Sequence, residues 1–180
     1  MKRLAPVLLL ALPAAAQEAG REAVILSRPG GIDAPTAMAL MQDDVVIRSF
    51  AGEGGLIASV PDGMVDAKAA ELSLVFPGLT IEPLPAEMKT RALMAAPETD
   101  GGDPDALVLV EVEPALGSPD GAVEAVLARF GEVQDGAVEI VDANAREGWI
   151  VSLPRRTIPA LAALPIVEAL RPLPDFPLID

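Results

Sequence analysis

The chain has 180 residues, 13 basic against 27 acidic, and a formal net charge of −14. A surface this acidic repels nucleic acid and anionic membranes. It holds no His, Cys or Tyr, which excludes Ser-His-Asp triads, Cys-His pairs, zinc or haem held by His or Cys, and disulfide staples.

The first stretch reads as a leader. Lys2 and Arg3 form a positive start, Leu4 to Pro13 an apolar run, and Ala14-Ala15-Ala16 the small residues of a cleavage site. The run falls short of the roughly 18 apolar residues that a membrane helix needs. Residues 1–16 are therefore expected to be a signal peptide cut after Ala16, placing the chain in the periplasm or outside the cell. Losing Lys2 and Arg3 lowers the basic count from 13 to 11 against 27 acidic residues, a formal −16. The charge reads as a solvated acidic surface, to which a basic partner would be attracted.

EAVILS (22–27) has the composition of a strand. Asp33 is placed to cap a short helix holding Met38, Leu40 and Met41. VVIRSFAGEGGLIASVP (45–61) reads as a hairpin. Val45 and Ile47 share one face of its first arm, and Leu56, Ala58 and Val60 one face of its second. The turn falls at Ala51–Gly54, and Pro61 ends the second arm because proline cannot donate to a ladder. The Gly-rich GEGG (52–55) joins two strands instead of opening a helix, so it is a turn and no phosphate loop. A helix over 65–76, capped by Asp62 and stopped by Pro77-Gly78, and a strand over 79–85 complete this part.

Residues 86–105 come next, and ETDGGDPD at their end is a linker by composition. The same series then returns. ALVLVEV (106–112) is a strand. Ser118 as cap and Pro119 at the first position open a helix with Val123, Val126, Leu127 and Phe130 on one face, which Gly131 ends. VEIVDANAREGWIVSLP (138–154) is a hairpin turning at Asn144–Glu147. It aligns without a gap on 45–61 at an offset of 93, with six of 17 positions identical. IPALAAL (158–164), capped by Thr157 and stopped by Pro165, is a helix, and IVEALRPLP (166–174) a strand. Aligning the first strands sets Val24 against Val108.

Each copy thus reads strand, helix, strand, strand, helix, strand. The fold class expected is α+β, two tandem ferredoxin-like (βαββαβ) domains with antiparallel sheets. The domains are 17–85 and 106–174, with a linker over 86–105 and a tail over 175–180. With 51% apolar but only 3% aromatic residues, the cores are aliphatic. Units this small are marginal alone, so the two are expected to pack together through their helix-free sheet faces.

Carboxylates are the remaining chemistry. Glu111 and Glu113 share one strand face; acids on an outward face are the ordinary pattern, and no catalytic pair is assigned. Glu98, Asp100, Asp103 and Asp105 surround Gly101-Gly102 and could offer oxygen ligands to Ca²⁺, though not at the spacing of a calcium loop. Met88 and Met94 read as packing residues, not copper ligands. No cofactor is expected.

GWIVSLPRRTIPALAALPIVEALRPLP resembles the end of the subtilisin-propeptide and protease-inhibitor family: an apolar strand, a short helix closing on a Leu-Pro-like stretch, and a Val-rich last strand. Ile158, Leu161 and Leu164 would be its helix core face, with Val167 and Leu170 in its last strand. The likeness covers 106–174. It implies a domain that docks the open face of its sheet on a subtilisin-like protease. The segment after the last strand, here Asp175, Phe176, Pro177, Leu178, Ile179 and Asp180, would enter the cleft as a product-like peptide. The function expected is therefore a non-catalytic exported binding protein, of protease-inhibitor or folding-assistant type. The alternative is a periplasmic small-molecule or calcium sensor. The oligomeric state is left open.

Overall fold

The computed structural model describes residues 20–52, 54–94, 103–134, 136, 138–144 and 148–173. The expected signal peptide, residues 1–16, lies outside the described residues. The elements run β1 (Arg21–Ser27), α1 (Ala34–Gln42), β2 (Val46–Gly52), β3 (Gly55–Pro61), α2 (Val65–Val75), β4 (Thr80–Pro83), α3 (Ala86–Lys89) and α4 (Arg91–Met94). They continue with β5 (Leu107–Pro114), α5 (Asp120–Val133), β6 (Glu139–Asn144), β7 (Gly148–Pro154), a 3-10 turn (Arg155–Thr157), α6 (Ile158–Ala162) and β8 (Val167–Pro172). The protein is α+β, with two four-stranded antiparallel sheets of order β2-β3-β1-β4 and β6-β7-β5-β8. No helix among the described residues is long and apolar enough to cross a membrane.

Alternation builds each core. Val24 and Leu26 lie opposite Ala58 and Leu56 on the helix-bearing face of the first sheet, where Leu40 of α1 and Leu72 of α2 bury against them. In the second sheet Val110 and Val112 lie opposite Val151 and Trp149, under Val123, Leu127 and Phe130 of α5 and Leu161 of α6. By register Val24 therefore corresponds to Val110, two residues beyond the Val108 that alignment of the strands alone suggests. The hairpins agree more closely. Each carries a register shift at the same place, between Ile47 and Ser49 and between Ile140 and Asp142, so Arg48 and Val141 are equivalent bulge residues.

Local expectations hold in part. Asp33 caps α1, its Oδ1 accepting from the Thr36 amide at 2.9 Å. Asp62 does not cap α2: that position is Met64, and the Asp62 amide donates instead to Gly20 O at 2.9 Å. Pro119, not Ser118, stands at the cap of α5, because the Ser118 hydroxyl accepts from the Arg21 amide at 3.2 Å. Gly131 does not end α5 but lies within it; a Cβ there would stand 3.0 Å from Val138 O, so glycine lets the helix approach β6. The GEGG turn is another close approach. Gly54 has φ +82, and a Cβ on it would sit 2.7 Å from the Gly31 Cα.

Residues 86–94, within the segment expected to separate the copies, form α3 and α4 and pack along β8. Leu93 is buried in the second core, joined there by Ala86. The connection is thus part of the second half's interior.

Candidate functional site

The two helix-free faces do not meet each other. The face of the first sheet carries Arg21, Ala23, Ile25, Ile57 and Ser59. It packs on the end of the second half, the turn after β5 and the approach to β8. Ala23, Leu84 and Ala115 form a small buried cluster with Ile25, Ile57 and Met88 against it. The Ala23 amide donates to Pro165 O at 2.9 Å, and Ser59 Oγ to Leu116 O at 2.5 Å. Small residues on the first face admit a protruding turn, where a second flat sheet would leave gaps.

Charge fills the rest of this junction. Arg48 is turned out of the β2 ladder by its bulge. Its Nε lies 2.8 Å from Glu168 Oε1, and its guanidinium also pairs with Glu113. Arg171 holds Glu113 from the other side, with Nη2 2.7 Å from Oε2. Glu168 is 5% exposed and accepts further from the Leu116 amide at 3.3 Å. Burial raises its carboxyl pKa above the ordinary value, and Arg48 opposes that shift. Lys89, 4% exposed, donates to Leu164 O at 3.0 Å. Burial lowers its pKa to about 8, against partial compensation by Glu22 and Glu168. Arg21 ties Ser59 (Nε to Oγ, 2.9 Å) to Asp44 (Nη1 to Oδ1, 3.1 Å), and Asp44 holds φ +61 there. Beside this network lies a cavity of about 270 Å³, lined among others by Arg48, Glu113, Leu116, Ser118, Asp120 and Trp149.

Among the described residues nothing covers the helix-free face of the second sheet as the second half covers that of the first. Leu107 and Leu109 of β5 are 70% and 49% exposed, and Ile150 and Ser152 of β7 are half-buried on the same face. By register Leu109 is the counterpart of Ala23, Leu107 of Arg21, Ile150 of Ile57 and Val141 of Arg48. Of the positions that join the halves on the first sheet, Arg21, Ala23 and Arg48 are thus matched on the second by exposed Leu107, Leu109 and Val141, and Ile25 by Glu111.

The expected site residues are scattered. Residues 175–180, Glu98 and Asp100 lie outside the described residues. Asp103 Oδ1 accepts from the Asp105 amide at 3.0 Å, and Asp105 pairs with Arg156, so these two acids serve the local turn. No group of three or more metal-ligating side chains occurs among the described residues. Glu113 is engaged by two arginines and makes no free pair with Glu111. Met88 packs at the junction. Sequence reasoning missed Arg48, Lys89 and Glu168, whose partners are remote in the chain. Leu107 and Leu109 carried a signal, since they fall on the same outward face as Glu111 and Glu113.

Fold and site together define an α+β protein with one sheet face consumed internally and one left open. No family model matches the chain, and no characterised protein or solved structure is significantly similar to it.

Proposed function

We propose that this chain is an exported, non-catalytic binding protein made of two ferredoxin-like units that arose by duplication, acting as a propeptide-like inhibitor or folding assistant of a subtilisin-like protease. The strand orders β2-β3-β1-β4 and β6-β7-β5-β8 follow the split βαβ pattern, and the shared hairpin bulge favours a common origin. The observation that carries the reading is the uncovered face of the second sheet with its exposed Leu107 and Leu109, since a contiguous apolar area at the surface marks interaction sites. The second sheet is also the half that resembles the inhibitor family. In this reading the face grips the protease and residues 175–180 supply the peptide for its cleft.

The test is inhibition of a subtilisin-like protease by the full chain and by a chain ending at residue 174. Inhibition by the first and its loss in the second is expected; no inhibition by the full chain rejects the reading. A second reading, a small-molecule sensor, draws support from the cavity between the halves. It requires a metabolite, or Ca²⁺, that raises the melting temperature of the full chain.

A further inference from the structure

We propose that the helix-free face of the second sheet is the docking surface for a protein whose contact surface is apolar at its centre and basic at its edge. The inference rests on the binding reading above and adds the chemistry of the partner. Register places Glu139 beside Ser152 and one strand away from Leu109, and Asp142 beside Ile150 and one strand away from Glu111. Glu113 is neutralised by Arg48 and Arg171. Glu111, Glu139 and Asp142 have no ion pair of 4 Å or less among those found between described residues. The face therefore reads as Leu107, Leu109 and Ile150 with Glu111, Glu139 and Asp142 around them, on a chain of net charge −14; Arg171, opposite Glu111 on β8, is engaged by Glu113. A basic rim on the partner would meet those carboxylates and be steered to them from a distance. An acidic partner, a second copy of this chain included, would meet like charge.

The partner adds a layer, not a strand. The free edge at β6 is broken by the bulge between Ile140 and Asp142, which blunts strand pairing, and the β8 side is lined by α3 and α4. The counterpart face on the first sheet already shows how such a surface is used: it takes a protruding segment across its centre and an arginine–carboxylate contact at its margin.

The experiment titrates the full chain with two peptides of one amphipathic helical pattern, one of Leu and Lys, the other of Leu and Glu, followed by NMR. The Leu/Lys peptide should shift the methyls of Leu107, Leu109 and Ile150, weaken as salt rises, and outbind the Leu/Glu peptide by at least roughly tenfold. Leu109→Asp should weaken the Leu/Lys peptide about tenfold although it adds negative charge, because the apolar centre is lost. Glu111→Lys with Asp142→Lys should weaken the Leu/Lys peptide and admit the Leu/Glu peptide. Equal binding of both peptides, undiminished binding by Leu109→Asp, shifts spread over the whole acidic surface, or self-association through this face without peptide would each overturn the proposal. Protease inhibition that persists while the Leu/Lys peptide fails to bind rejects the basic-partner chemistry alone; peptide binding without inhibition rejects the protease reading alone.

Discussion

Lys89 offers the sharpest thermodynamic test of the junction. Its ammonium is buried between the halves and donates to Leu164 O, and its pKa falls from 10.5 to about 8. Below about pH 8 the folded protein carries a charge that its surroundings disfavour. Between about pH 8 and 10.5 the folded state releases that proton while the unfolded chain keeps it, so this group makes stability rise with pH. A shift of this size corresponds to about 3 kcal/mol across the window. In Lys89→Met the ammonium is gone and the rise should vanish. Near neutral pH two effects oppose: the variant escapes the desolvation cost but loses the charged hydrogen bond to Leu164 O, worth roughly 1.5–3 kcal/mol, while that carbonyl keeps the Val167 amide as a donor at 3.1 Å. The informative quantity is therefore the pH dependence of the difference. Urea denaturation of both proteins from about pH 7 to 10.5 should show the wild type gaining about 3 kcal/mol relative to Lys89→Met. Parallel curves would refute a charged, buried Lys89.

Three further perturbations probe the frame. Arg48→Met should cost roughly 3–5 kcal/mol, because it strands the buried Glu168 carboxylate; the loss should shrink in acid as Glu168, whose pKa is already raised, takes up a proton. Gly54→Ala should cost roughly 2–3 kcal/mol by urea denaturation, since the new Cβ meets the Gly31 backbone and φ stays positive. A chain beginning at residue 86 should be more stable than one beginning at 103 by roughly 2–5 kcal/mol, the worth of a buried leucine such as Leu93; equal stability would show that α3 and α4 contribute nothing to the second core.

What could be read from the sequence was local or periodic. Period-two alternation in GLIASVP and GWIVSLP marks both second hairpin arms, and the constant offset of 93 sets Arg48 against Val141, though nothing in the sequence marks either as a bulge. Asp33 announced its helix because a cap acts within three residues. Reading failed where the reason lies far along the chain. Gly131 resembled a helix stop, yet its lack of a Cβ serves contact with Val138. Ser118 resembled a cap, yet its hydroxyl faces the Arg21 amide across the junction. The meeting of the halves depends on Arg48 reaching Glu168, and neither residue stands out in composition or period. The open face is half legible: alternation marks Glu111 and Glu113 as outward, and Leu107 and Leu109 share their parity, yet an apolar side chain in a strand carries no sign of exposure.

The proposed binding depends on which sheet face is free. Methyl-resolved NMR of the full chain with a catalytically inactivated subtilisin-like protease compares the two faces in one sample. Shifts at Leu107, Leu109 and Ile150, with Ala23, Ile25 and Ile57 unmoved, are the predicted result. Movement of Ala23, Ile25 and Ile57 in their place, or no movement on either sheet, would contradict it.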